Sequence, residues 1–166
     1  GAEEDVLTTV HALEGFGHGC RDAGLGLGIS SQIWSVQTPI LNFGTEDQRQ
    51  RFLPGLCDGT KIAAFAMTEE VNGSDALPPA TEARRVDGGY ELTGEKCLIG
   101  LSPVCDLALV FATTDAKHGR WGVSAFLVDA SSQGFVAGSA EEKMGLRTEP
   151  LGRIRLEAVF VPEEDR

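Results

Sequence analysis

A change of hydrophobic period near residue 57 constrains this chain more than any other feature. Before it, apolar side chains recur at three- and four-residue spacing, as at Val6, Leu7, Val10 and Leu13, behind an acidic start that suits the positive end of a helix dipole. Thr45-Glu46-Asp47-Gln48 has the form of a capping box, in which the Thr hydroxyl accepts from a first-turn amide and the Gln side chain reaches back to the cap. The helix it starts can bury Phe52 and Leu53, and Pro54 is expected to end it. Beyond residue 60 the apolar runs are short and strand-like, over 61–67, 82–86, 90–99, 107–112, 123–128 and 154–161. Asp87-Gly88-Gly89 is a hairpin signal, because glycine takes positive φ without steric cost. Residues 153–161 alternate polar and apolar, as a half-buried strand does. The expected fold class is therefore α+β. A short all-α segment, residues 1–56, precedes an antiparallel β-barrel or sandwich, residues 57–166.

Charge excludes several partners. The 166 residues carry 25 acidic and 14 basic side chains, a formal charge of −11, with no basic stripe. Binding that rests on neutralising nucleic-acid phosphates or an anionic membrane surface is thus disfavoured. An anionic carrier or cofactor can bind only at a locally basic spot. No apolar run approaches the roughly 18–20 residues that span a bilayer, so membrane insertion is not expected. Gly1-Ala2-Glu3-Glu4-Asp5 lacks the basic and apolar regions of a signal peptide. Cys20, Cys57, Cys97 and Cys105 form no C-x-x-C pair and are expected to be reduced, mostly buried thiols of a cytoplasmic protein.

Several apparent motifs fail on context. Gly15-Phe-Gly-His-Gly19 and Gly24-Leu-Gly-Leu-Gly28 follow helical periodicity, whereas a dinucleotide fingerprint follows a strand and opens a helix. Gly89-Tyr-Glu-Leu-Thr-Gly94-Glu95-Lys96 has Glu95 where a P-loop needs lysine. His11, His18 and His118 lack metal-ligand spacing, so no metal site is expected. No Ser lies within a Gly-x-Ser-x-Gly elbow. The adjacent carboxylates Glu69-Glu70 and Glu141-Glu142 read as solvated, since strand neighbours face opposite sides. Residues 68–75 differ: a strand runs into a small polar loop whose backbone N–H groups can face an anion such as a pyrophosphate.

Four ordered stretches carry a resemblance to the acyl-CoA dehydrogenase family. Asn42-Phe-Gly-Thr-Glu-Asp-Gln-Arg-Gln-Arg-Phe-Leu-Pro54 resembles the helix leading into that family's middle domain. Ala64-Phe-Ala-Met-Thr-Glu-Glu-Val-Asn-Gly-Ser-Asp75 is similar to its signature, which usually ends Thr-Glu-Pro-Gly-Ala-Gly-Ser-Asp. Residues 89–96 resemble its next hairpin, and Lys143-Met-Gly-Leu-Arg147 with residues 156–162 its closing strands. The likeness implies the end of a helical N-terminal domain plus the middle β-domain, with no counterpart here of the C-terminal helical bundle. It implies FAD as cofactor and α,β-dehydrogenation of an acyl thioester, carried by coenzyme A or an acyl carrier protein. An electron acceptor such as an electron-transfer flavoprotein and a dimeric or tetrameric full-length form are also implied.

By the same resemblance, Phe65 through Ser74 lie where the first flavin segment lies, with Phe65, Ala66, Met67 and Thr68 binding the cofactor, and Leu98, Ile99 and Gly100 align with a second, usually Trp-Ile-Thr. Gly73 and Ser74 lie near the cofactor and the thioester entrance, with Ser74 also substrate-binding. No catalytic residue is assigned, because the α-proton base is expected in the C-terminal bundle, and the 166 residues alone are expected to be inactive. Val161-Pro162-Glu163-Glu164-Asp165-Arg166 looks like a linker to a further domain. Three departures bear on the site. Leu98 replaces a flat aromatic, Gly100 replaces a Thr that would hydrogen-bond the flavin near its reactive nitrogen, and Glu70-Val71-Asn72 replaces Pro-Gly-Ala. They motivate two alternatives: a flavin oxidase or monooxygenase acting on a carrier-bound intermediate, or an interaction module that has lost FAD.

Overall fold

A computed structural model describes residues 5–166. The acidic start at residues 1–4 lies outside the described residues. Helix α1 (Val6–Gly19) is capped by Asp5, whose carboxylate accepts from the Thr8 amide at 2.8 Å. The chain then runs through α2 (Ala23–Ser30), a π-helical segment (Ser31–Gln37) and α3 (Thr38–Phe43) without leaving helical backbone angles at the joints. Helix α4 (Glu46–Asp58) begins with the expected box: the Gln48 amide donates to Thr45 Oγ1 at 3.2 Å, and the Thr45 amide to Gln48 Oε1 at 2.9 Å. Pro54 does not end it. Proline removes one internal hydrogen bond, but Leu56 beyond it is buried against the sheet, and the helix stops at Gly59 in a left-handed cap.

Seven strands follow: β1 (Ala63–Ala66), β2 (Glu82–Val86), β3 (Gly89–Gly100), β4 (Leu107–Thr113), β5 (Val123–Asp129), β6 (Phe135–Ala137) and β7 (Leu151–Pro162). They form one sheet in the order β1-β4-β2-β3-β7-β6, with β5 on β4, curled into a half-barrel. The purely antiparallel expectation is corrected here, because the sheet is mixed. Residues 63–66 of β1 run parallel to 107–110 of β4, and β2 meets β4 in parallel at Glu82 and Thr113. A parallel pair needs a long crossover, and the β2–β3 hairpin with its flanking loops supplies it. That hairpin turns at Asp87-Gly88, with Gly88 at φ 77°, where a side chain is disfavoured. The short strand β6 has three residues and no readable sequence signal of its own.

β4 shows why its apolar run is continuous: both faces are covered. Ala108, Val110 and Ala112 point into the barrel with Leu92, Ile99, Phe126, Ile154 and Val159, whereas Leu107 and Leu109 meet Val36, Ile40 and Leu56 of the helices. One side chain docks the helices onto the sheet edge. Gln32, in the π-helical segment, accepts from the Ala63 amide at 3.0 Å and donates to the Ala63 carbonyl, pairing with β1 as a neighbouring strand would.

Candidate functional site

The rim of the half-barrel is built where β1 runs out beside the middle of β3. The Cys97 amide donates to the Thr68 carbonyl at 3.0 Å, which sets residues 67–68 against 97–98. Beneath them lies a buried ion pair. Lys96 is fully buried and its ammonium donates to Glu69 Oε1 at 2.8 Å, to the Phe111 carbonyl at 2.6 Å and to the Met67 carbonyl at 3.3 Å. Glu69 also accepts from the Thr81 hydroxyl at 2.5 Å, the Thr81 amide at 2.9 Å and the Ala80 amide at 2.5 Å. Every ammonium proton is used and both carboxylate oxygens are engaged, so the pair ties β3, β4 and two loops together. Burial pushes the Glu69 carboxyl upward, and Lys96, Thr81 and Ala80 more than reverse this, leaving its pKa below the usual range. Burial likewise lowers Lys96, with Glu69 opposing.

Glu69 was expected to be solvated, and that reading is corrected: it is 4% exposed. Only its neighbour Glu70 faces solvent, paired with Arg153 at 3.0 Å. Arg153 also meets Glu95 at 3.1 Å, so the extra negative charge that Glu70 brings to this rim is offset. The sequence signal for burial of the lysine was its phase with the inward-facing Tyr90 and Leu92 of β3; nothing near it pointed to Glu69 as its partner.

Leu98 stands on this rim because the ladder slips. Lys96 pairs with Ile154 and Ile99 with Gly152, so β3 carries one extra residue across that interval. Leu98 takes φ 54° and is 57% exposed. The other expected site residues divide clearly. Ala66 and Ile99 are buried in the barrel core, where only their backbone can meet a ligand. Phe65 packs on Phe111 with ring centroids 5.2 Å apart, on the helix-facing side. Met67 and Thr68 are half-buried beside Leu98, while Gly73 and Ser74 are exposed in the loop beyond the Glu69–Asn72 turn.

Gly100, at the end of β3, introduces a residue the sequence reading missed. A Cβ there would lie 2.6 Å from Glu149 Oε1. The Glu149 side chain is 5% exposed and accepts from the Ser31 hydroxyl at 3.3 Å. Nothing in the local pattern marked it, since it precedes the alternation of β7 and its neighbours come from α2, the π-helical segment and β3.

Cysteine chemistry does not fit this rim. The thiol nearest it, Cys97, is buried and pushed up by that burial, and burial raises Cys105 to about 11. The expectation of mostly buried thiols holds only for Cys97; Cys57 is exposed and Cys20 and Cys105 are intermediate, and all four are free. No group of metal-ligating side chains occurs among the described residues, and no helix there is long and apolar enough to cross a membrane.

A helical segment docked on a mixed half-barrel, with a braced rim between β1 and β3, is the class of structure these observations define. The family model described as acyl-CoA dehydrogenase, middle domain, matches residues 64–159, and that described as acyl-CoA dehydrogenase, N-terminal domain, matches residues 1–60. The chain belongs to the acyl-CoA dehydrogenase family. It is 37% identical over 162 residues to the short-chain specific acyl-CoA dehydrogenase of Megasphaera elsdenii, covering 97% of this chain and 42% of that protein. The crystal structure of the prolyl acyl carrier protein oxidase AnaB superimposes with a TM-score of 0.96 at 38% identity, covering 100% of this chain and 44% of that one. The structure of PigA with FAD and proline matches with a TM-score of 0.90 at 33% identity, over 93% of this chain and 40% of PigA. The chain thus spans less than half the length of these relatives.

Proposed function

We propose that this chain is the helical and barrel portion of an FAD-dependent oxidoreductase that removes hydrogen from the α and β carbons of an acyl thioester. The observation that carries the reading is the rim itself: Met67 and Thr68 are locked beside an outward-turned Leu98 by the Thr68–Cys97 hydrogen bond and the Lys96–Glu69 pair beneath. This surface offers an apolar patch with a hydroxyl at its edge, which suits a flat ring with polar margins. FAD, when bound, accepts a hydride from the substrate. Residues 65–68 and 98–100 hold the ring, and Gly73 and Ser74 border the thioester entrance, with Ser74 contacting substrate. The boundary between helical and barrel portions is taken at residues 56 and 57, just before α4 ends at Asp58. Glu69 is not the proton-abstracting base, because its oxygens are held by Lys96, Thr81 and Ala80. The carrier is coenzyme A or an acyl carrier protein, electrons leave to a partner such as an electron-transfer flavoprotein, and the full-length protein works as a cytoplasmic dimer or tetramer.

The test is anaerobic mixing of the flavin-loaded full-length protein with short acyl thioesters. Loss of flavin absorbance with appearance of an α,β-unsaturated product is expected; intact flavin colour with every thioester offered would sink the proposal. A second reading, oxidation of a carrier-bound aminoacyl group such as prolyl, is favoured by the likeness to AnaB and PigA and by Leu98 and Gly100 at the rim. Rapid reoxidation of the reduced protein by O₂ supports the second reading, and sluggish reoxidation supports the first.

A further inference from the structure

We propose that Glu149 is a flavin-contacting residue, its carboxylate occupying the place where a residue-100 side chain would begin and supplying the polar contact at that edge of the ring. The inference rests on the flavin reading above. It starts from space. An ideal Cβ on Gly100 would lie 2.6 Å from Glu149 Oε1 and 3.3 Å from its Cδ, so glycine at this position and a carboxylate from across the sheet are one coupled arrangement. Any larger residue 100 would displace the carboxylate. The backbone fixes the approach: Gly100 pairs with Leu151, and the Leu101 amide donates to the Pro150 carbonyl at 2.7 Å. On the other side, a Cβ on Gly28 would lie 3.9 Å from Glu149 Cγ, so α2 closes over the stem of the side chain.

The electrostatics show that this carboxylate is not a structural ion pair. It is 5% exposed, yet no Lys or Arg pairs with it among the described residues, and Lys143 reaches only its main-chain carbonyl. Its side-chain hydrogen bond comes from the Ser31 hydroxyl at 3.3 Å, a long contact. A carboxylate can accept about four hydrogen bonds. Contrast Glu69 in the same half-barrel, which is satisfied on both oxygens. Glu149 therefore has spare acceptor capacity at the end of the second flavin segment, and what answers it is an N–H donor. A flavin offers such a donor at its reacting nitrogen only when reduced; when oxidised, that nitrogen is itself an acceptor. A hydrogen-bond acceptor there favours the reduced ring over the oxidised one.

The test is a dye-coupled reductive titration of the full-length flavin-loaded protein beside its Glu149→Gln variant and the double variant Gly100→Thr, Glu149→Ala. Both replace the carboxylate by a group able to donate to the oxidised ring. Each is expected to shift the ratio of oxidised to reduced flavin affinity at least tenfold toward the oxidised form, a fall in midpoint potential of about 30 mV for a two-electron couple. A merely structural Glu149 would change flavin retention or thermal stability without moving that ratio. Folded, flavin-loaded variants with an unchanged midpoint overturn the proposal. So does failure of both variants to fold, which would assign Glu149 to the scaffold. If the unmodified full-length protein purifies without flavin and takes none up, the flavin reading itself falls.

Discussion

Lys96 and Glu69 set the stability of the rim at the scale of single residues. Replacing Lys96 by Met while keeping Glu69 strands a buried carboxylate, and a loss of about 3–5 kcal/mol in unfolding free energy is expected by denaturant titration. Replacing both with apolar residues should cost less than the sum of the single changes, because neither charge is then left alone. The pair also carries a pH signature. With its pKa held below that of the unfolded chain, Glu69 contributes stability above the ordinary carboxylate range, and that contribution is lost as pH falls through the lowered folded value. The stability gap between the unmodified chain and Glu69→Gln is therefore expected to be widest near neutrality and to shrink below about pH 4. A gap that widened on acidification would contradict this account. Legibility at this scale was uneven. Thr45 and Gln48 were readable because a capping box is local; Glu69 with Lys96, and Gly100 with Glu149, were not, because their partners meet only after distant strands pair.

Among the elements, the slip in the β3–β7 ladder has the clearest cost. Leu98 holds φ 54°, a region that penalises any residue with a Cβ, and it recovers little by burial. Leu98→Gly is expected to raise stability by about 0.5–1 kcal/mol while weakening flavin retention in the full-length protein. Calorimetry and flavin stoichiometry read the two effects separately. A gain in both would show that the outward turn serves no ligand. The docking of helix to sheet depends on a similarly local device. Gln32→Ala leaves an amide and a carbonyl of β1 without their partner and is expected to cost about 1–3 kcal/mol, measured by urea unfolding. The β2–β3 hairpin was legible from Asp87-Gly88 and the alternation around it. The extra residue at 97–98 was not, since a bulge is decided by how β7 registers against β3, and no residue near it announces the slip.

For the whole molecule, the two apolar clusters share β4: Leu107 and Leu109 belong to the helix-facing one, Ala108, Val110 and Ala112 to the barrel. A strand common to both cannot release one cluster without exposing the other. The helical and sheet signals of residues 1–166 are accordingly expected to be lost in one thermal transition, and two separated transitions in circular dichroism would contradict this. The division into a helical part and a barrel part was readable from the change of period. The parallel pairing of β1 with β4 was not, because strand direction depends on where the chain returns after the hairpin rather than on composition along either strand.

The Gln32 bond to Ala63 has a consequence for solubility as well as for stability. β1 is the last strand on its side of the sheet, and its sequence Ala63-Ala-Phe-Ala66 is uncharged. Unpaired edges of that kind recruit strands from other molecules. The side-chain amide of one helical residue, mimicking a strand neighbour, occupies that edge at its first position. Residues 57–166 expressed without the helices would present it bare, and chain-to-chain strand addition would then compete with folding.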